Sequence, residues 1–309
     1  MKRRQKKSIK QIKDERFGFL MSLPAMIFLA LLFVFPIIYS FGASFTNYRL
    51  VGQNKLSFVG LENYIKAFTE PDFFNSVKIT LLITVGALVV EFLLAMLLAG
   101  LIVNIKKGQG ILKTIYLIPM MVAPTVAGLL FRFMLNDDFG LLNVILKSLG
   151  IVSSNVHWLT DSKIVLASII YVDSWTTIPF IFLLMYTGLS SVSEDVIESG
   201  KIDGANRFQI FFRIQIPIIK PTLIIALVIR FMDVFRIFDS IYVLTDGGPG
   251  KASETLSLLI YKTNWHKYQV GYASALSYIM LIFMIAVALL IQYIGKDKEE
   301  RKWKRHRKE

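Results

Sequence analysis

The 309-residue sequence is 54% hydrophobic and carries a formal net charge of +13, a composition too apolar for one or two soluble domains and indicative of an integral membrane protein. Its basic residues do not form a stripe interleaved with aromatics, as a nucleic-acid surface would have them. They gather in two tails, eight Lys or Arg within residues 1–16 and eight more within 296–309, the pattern of segments retained on the cytoplasmic side of a membrane.

After the basic head, Phe17–Phe45 is an apolar run of spanning length, about twice the core of a cleaved signal peptide, with Pro24 and Pro36 expected to kink it. Residues 46–76 read as a polar external loop. Val77–Val103 is a second crossing with Glu91 near its middle, and Lys106-Lys107-Gly108 makes a basic return. Ile111–Leu135, punctuated by Pro119 and Pro124, is the third crossing, and Ile164–Leu189, with Asp173, Trp175 and Pro179, is the fourth. Ser190–Thr222 then breaks the apolar pattern. Ser191 and Glu194 have the spacing of a capping box, and Glu194, Asp195 and Glu198 favour the positive end of a short helix. Asp203-Gly204 permits a bend, and Arg207–Ile216 restarts an amphipathic pattern before Pro217 and Pro221 open the fifth crossing, Ile218–Leu244. Val270–Ile294 is the sixth. With both termini cytoplasmic, the 190–217 loop lies on the same face; 23 Lys or Arg then fall in inside segments and 8 in outside loops, in accord with the positive-inside rule. The expected fold is an all-α, multi-pass membrane protein of six transmembrane helices, a 17–294 membrane domain between tails 1–16 and 295–309.

The order Glu198, Ile202, Asp203, Gly204, Ala205, Ile214 and Pro217 resembles the cytoplasmic EAA loop of ABC-importer permeases in its sugar-permease form, E-A-A-x-I-D-G-A followed further on by I-x-L-P. Here the paired alanines are Ser199 and Gly200, and the leucine is Ile216. The same pattern is matched by Gly60-Leu61-Glu62-Asn63-Tyr64 and by Tyr116, Pro119, Pro124, Gly128, Met134, Gly140-Leu141-Leu142-Asn143 and Gly150. It is matched again by Leu244-Thr245-Asp246-Gly247-Gly248-Pro249 with Ser253-Glu254-Thr255-Leu256 and Tyr261, although Asp246 stands where glycine is usual. With its basic head and lysine-rich tail, the chain is similar to oligosaccharide permeases of Gram-positive bacteria. The resemblance implies a permease subunit of an ATP-driven, binding-protein-dependent importer of a carbohydrate, an oligosaccharide, in the bacterial cytoplasmic membrane. It implies a coupling helix between the fourth and fifth crossings, with Glu198, Ser199, Gly200, Asp203, Gly204, Ala205, Ile214 and Pro217 forming the contact with a cytosolic ATPase. The implied partners are a second homologous permease, two copies of that ATPase, which would hold ATP and Mg, and an extracellular solute-binding protein. This chain would bind no cofactor.

The residues themselves agree that ATP is hydrolysed elsewhere. The Gly-Lys pairs at 200, 250 and 295 are followed by Ile, Ala and Asp, so no phosphate-binding loop is present. There is no cysteine, and His157, His266 and His306 are far apart, which excludes disulfides and leaves a metal centre without support. Charges within spanning segments are costly and face a cavity or a partner. Arg230, Asp233, Arg236 and Asp239 recur at every third residue. They can form a salt-bridge ladder that lets the helix insert, or a polar wall where sugar hydroxyls meet Arg and Asp while rings stack on Phe231, Phe235 and Phe238. Both readings stand. Glu91 and Asp173 can line the same pathway or pair with the partner subunit, and Trp175 reads as packing beside Pro179. With no nucleophile, base or metal set at usable spacing, the chain is expected not to be an enzyme. The alternative to an importer subunit is a self-sufficient secondary carrier or channel whose Arg/Asp ladder couples to protons or ions, and such a carrier would work without any ATPase.

Overall fold

The computed structural model describes residues 9–52, 55–105 and 107–295; the expectations for Lys106 and for the charged ends, residues 1–8 and 296–309, lie outside them. The described residues are helical and form no strand, only an isolated antiparallel bridge between Thr46 and Phe58. They divide into two compact units, the described residues of 1–67 with 263–278 and those of 68–262 with 279–309.

The first unit begins with α1 (Ile9–Leu29), a π segment (Ala30–Val34) and α2 (Phe35–Ser44) in unbroken succession. Pro36 lacks the N–H that would bond the Leu32 carbonyl, and the wider π turn lies where that bond is missing. The polar loop that follows is pinned by α3 (Glu62–Ala67): the Asn63 amide donates to the carbonyls of Ser44 and Thr46 at 2.9 and 2.8 Å, and the hydroxyls of Tyr64 and Ser44 meet at 2.7 Å. Gly271 donates its N–H to the Tyr48 carbonyl at 2.9 Å, and any side chain there would collide with the Thr46 carbonyl.

The second unit holds α4 (Pro71–Ile102), α5 (Gln109–Leu117), a 3-10 turn (Ile118–Met121), α6 (Pro124–Met134), α7 (Leu141–Ser148), α8 (Val165–Ser190) and α9 (Glu194–Ile202). Next come α10 (Arg207–Gln209), a π segment (Ile210–Gln215), α11 (Ile216–Phe235) and α12 (Asp239–Leu244); α13 (Leu256–Trp265) and α14 (Val270–Gly295) pass through both units. Its core is the pairing of α4 with α8. Ala87, Ala95 and Ala99 on α4 are fully buried, and a Cβ on Gly86 would stand 2.6 Å from Ile170 Cδ1. Small residues let the two backbones approach, the main source of helix association where lipid is as apolar as the helix. Around that seam Ile83, Ile169, Val172, Val234 and Ile241 form one apolar cluster, and Ile181, Phe182, Met185 and Ile219 another.

Two expected crossings are not single helices. Ile111–Leu135 is bent by 91° between the 3-10 turn and α6: Pro119 interrupts α5, and Pro124 holds the residue before it, Ala123, in an extended conformation (ψ 139°). Ile218–Leu244 stops at Phe235 and resumes at Asp239, with Arg236 and Phe238 out of helical geometry. By length and apolarity Phe17–Ser44, Pro71–Ile102, Val165–Ser190 and Val270–Gly295 can each cross a membrane, and the bent pair would make a fifth. α11 is not among them, since Lys220, Arg230 and Asp233 interrupt its apolar run.

Two polar clasps close the connections. Buried Asn143 at the start of α7 accepts from Val156 N–H (3.1 Å) and Trp158 Nε1 (3.0 Å) and donates to the carbonyls of Val156 (3.0 Å) and Asp137 (3.2 Å). Asn143→Ala leaves several of these groups unpaired, at about 1–3 kcal/mol each before water or neighbours relieve them; the variant is expected to melt earlier than the parent in detergent, and an unchanged melting temperature would count against the clasp. At the other connection Lys251 pairs with Asp72 at 2.6 Å, a contact that holds its ammonium above the usual lysine range.

Candidate transport cavity and coupling segment

The charge expected to pair along one helix pairs there with Asp233 and also draws three helices together. Arg230 on α11 is 2% exposed and Glu91 on α4 is fully buried. The guanidinium meets Glu91 through both oxygens, Nε to Oε2 at 2.7 Å and Nη2 to Oε1 at 2.8 Å. Nη2 also donates to Asp173 Oδ2 on α8, and Nη1 donates to Asp233 Oδ2 at 2.7 Å. Ser174 adds a longer bond to Glu91 Oε1 at 3.4 Å. Planar, bidentate pairing of this kind is what an arginine can do and a lysine cannot.

Beside the clasp lies a cavity of about 550 Å³ bounded by α6, α8 and α11, with Met120, Thr176, Thr177, Phe180, Asp233 and Arg236 among its lining residues. Asp233 and Arg236 are more than half exposed and stand 3.6 Å apart. The cavity therefore has one polar wall of carboxylate, guanidinium and hydroxyls, and an apolar remainder that includes Ile229 and Met284. Such a mixture suits a solute that combines hydroxyls with hydrocarbon faces.

Of the residues singled out in sequence, Glu91, Asp173, Arg230 and Asp233 converge, and Arg236 joins them through Asp233. Asp239 does not, because the break after Phe235 ends the three-residue spacing; it is exposed in the first turn of α12. Phe231 and Phe235 are 4% and 1% exposed, and Phe235 is stacked on Phe283 at 5.1 Å, so in this structure their rings serve packing. Phe238 stacks on Tyr242 at 5.4 Å and lies against Tyr261. Trp175 packs edge-on against Phe131 at 5.3 Å, as a packing residue should. Thr176 and Thr177, which sequence reasoning passed over, reach the cavity; two adjacent threonines in an apolar span were the available signal.

The 190–217 stretch is a helix, a bend and a second helix, with caps other than those expected. Ser191 ends α8, its hydroxyl donating to the Gly188 carbonyl at 2.7 Å, and α9 starts after Ser193 with no side-chain cap. The capping box belongs to Asn206 and Gln209, whose reciprocal bonds are 2.9 and 2.8 Å. Between them Gly204 has φ +81°, its N–H bonds the Lys201 carbonyl, and the Ala205 N–H bonds the Gly200 carbonyl, both at 3.0 Å. These are the paired bonds of a Schellman ending, which needs a left-handed residue where glycine stands. Gly200 lets α9 lie against the π segment, since a Cβ there would come 2.7 Å from Ile214 Cδ1. Asp195, Ser199, Asp203 and Ile214 rim a shallow hollow of about 380 Å³. Glu198 is exposed and Ala205 half-buried, Ile202 is 85% exposed, and Pro217 lies in the first turn of α11.

Broken apolar helices around a polar-walled cavity, with an exposed amphipathic helix rooted at the foot of one of them, define a membrane permease. A sequence model of the family described as "binding-protein-dependent transport system inner membrane component" matches residues 91–299, and the chain belongs to that family: it is an ABC importer permease. It is 31% identical over 285 residues to the probable ABC transporter permease protein YurN of Bacillus subtilis (strain 168), covering 91% of this chain and 97% of the relative. It is 32% identical over 289 residues to the trehalose/maltose transport system permease protein MalF of Thermococcus litoralis, covering 93% and 96%. The fold matches a chain from the crystal structure of a bacterial ABC transporter involved in the import of the acidic polysaccharide alginate, with TM-score 0.80 over 93% of this chain and 97% of that one at 23% identity.

Proposed function

We propose that this chain is one of two permease subunits of an ATP-driven importer of an oligosaccharide, with six crossings, both termini cytoplasmic and α9 as its coupling helix. A cytosolic ATPase dimer grips α9, and an extracellular solute-binding protein delivers the sugar to the opposite face. The observation that carries this reading is the continuity from α9 to the cavity wall. α9 is packed through Gly200 on Ile214, and the segment holding Ile214 runs without interruption into α11, which carries Arg230 and Asp233. A displacement of α9 therefore reaches the cavity through helix and close contact, with no flexible linker between. The relative named for trehalose and maltose transport supports a carbohydrate as the cargo.

In vesicles containing this chain, its partner permease and the ATPase, with binding protein outside and ATP inside, oligosaccharide uptake is expected to require every component. Uptake by this chain alone, driven by an ion gradient, would make it a secondary carrier and overturn the proposal. The topology is checked separately. Asp246 and Gly247 both have positive φ in a reversal closed by the Gly248 N–H to Thr245 carbonyl bond at 2.9 Å. Asp246→Cys should react with a membrane-impermeant thiol reagent in intact cells, whereas labelling only after permeabilisation would place that turn inside.

A further inference from the structure

The arginine beside the cavity is already spent. Four of the five N–H donors of the Arg230 guanidinium are committed, two to Glu91 and one each to Asp173 and Asp233. Its charge is also outnumbered: Glu91, Asp173 and Asp233 set three carboxylates against the two guanidiniums of Arg230 and Arg236. Glu91 and Asp173 stand behind Arg230 and are buried, while Asp233 and Arg236 face the cavity. An anionic solute entering there would meet Arg230 enclosed by acids and Arg236 beside the carboxylate of Asp233, a group whose summed charge is negative. A hydroxyl-rich, uncharged solute would find two carboxylate oxygens of a fixed Asp233, a guanidinium and two threonines.

We propose that Arg230 is a positioning residue, compensated from behind by Glu91 and Asp173 and holding Asp233 at the wall, and that the cavity in consequence takes uncharged oligosaccharides in preference to anionic ones. This rests on the importer reading above and narrows its substrate class.

The test reads the charge of the cavity without requiring transport, so its failure is distinct from a failure of ATP-driven uptake. The chain has no cysteine, and Met232, which lines the cavity and is 40% exposed, offers a place for one. In the assembled importer carrying Met232→Cys, the rates of modification by a cationic and an anionic methanethiosulfonate are measured by the mass of this chain and divided by their rates on a free thiol. The cationic reagent should be favoured by about ten-fold, the order expected of one uncompensated charge within a Debye length. Asp233→Asn should shrink that preference several-fold. Glu91→Gln should do the same although Glu91 does not line the cavity, and a purely structural role would not produce that change. Arg230→Lys, which keeps the charge, should retain the sign of the preference. Equal rates, faster reaction of the anionic reagent, or a preference indifferent to Asp233→Asn would overturn the proposal. Should Glu91→Gln fail to assemble, the Asp233→Asn comparison decides, since it leaves the buried pair intact.

Discussion

Arg230→Ala is expected to prevent the permease from accumulating as an assembled complex. The substitution leaves Glu91 fully buried and Asp173 nearly so without the cation that both contact, and breaking a buried ion pair by removing one partner costs about 3–5 kcal/mol. Three helices lose their common tie at once, because Glu91 is on α4, Asp173 on α8 and Arg230 on α11. The loss should be visible as low membrane levels and an aggregated profile on size exclusion in detergent. Replacing the whole set by apolar residues, Arg230→Met with Glu91→Met and Asp173→Leu, should restore assembly, since exchanging a buried ion cluster for well-packed hydrophobics is often neutral or stabilising. Transport should not return with it, because Asp233 then loses the arginine that holds it. Arg236→Ala is the contrast: its pair with Asp233 is exposed and 3.6 Å long, and such pairs contribute only about 0–1 kcal/mol. Wild-type stability of Arg230→Ala would mean that the clasp does not hold the three helices together.

The second large effect is expected at Gly204. With φ +81° it occupies the left-handed region, and a β-branched side chain there costs about 1–2 kcal/mol in backbone strain. Beyond its two chain neighbours, no described residue comes within 4 Å of an added Cβ, so crowding is expected against a partner. Gly204→Val should therefore insert and fold, yet lose the ending that aims α9. Uptake should be abolished and the ATPase should no longer co-purify, while the binding protein still docks outside. Glu198→Ala should act in the same direction but more weakly, because the residue is exposed and a solvated charge contributes little. Retention of both ATPase and uptake in Gly204→Val would show that this segment is not the coupling helix.

Much of this architecture is legible in the order of residues. Apolar runs of spanning length mark Pro71–Ile102, Val165–Ser190 and Val270–Gly295, because burial in lipid imposes length and composition on the local chain. The Asp203-Gly204 bend is equally legible, since a left-handed turn asks for glycine wherever it occurs. The cap of α9 is not, because Ser191 and Glu194 meet the spacing of a capping box while α8 runs on to Ser190 and claims Ser191 for its own end.

Charge pairing lies further still from what spacing can convey. Arg230, Asp233, Arg236 and Asp239 stand three residues apart, and on an unbroken helix each would meet the next. The chain instead breaks at Arg236, and the strongest partners of Arg230 arrive from positions 139 and 57 residues away. A buried guanidinium must satisfy several donors in one plane, and the three-residue spacing of one helix offers it a single carboxylate, so the remaining partners come from whatever helices pack there. Local patterning in this protein specifies where helices start, bend and face lipid, since those choices depend on each residue's own backbone and its solvent. Which polar groups share the interior follows from the packing of α4 on α8 and α11, a long-range arrangement set by small residues such as Ala87 and Gly86 that carry no charge at all.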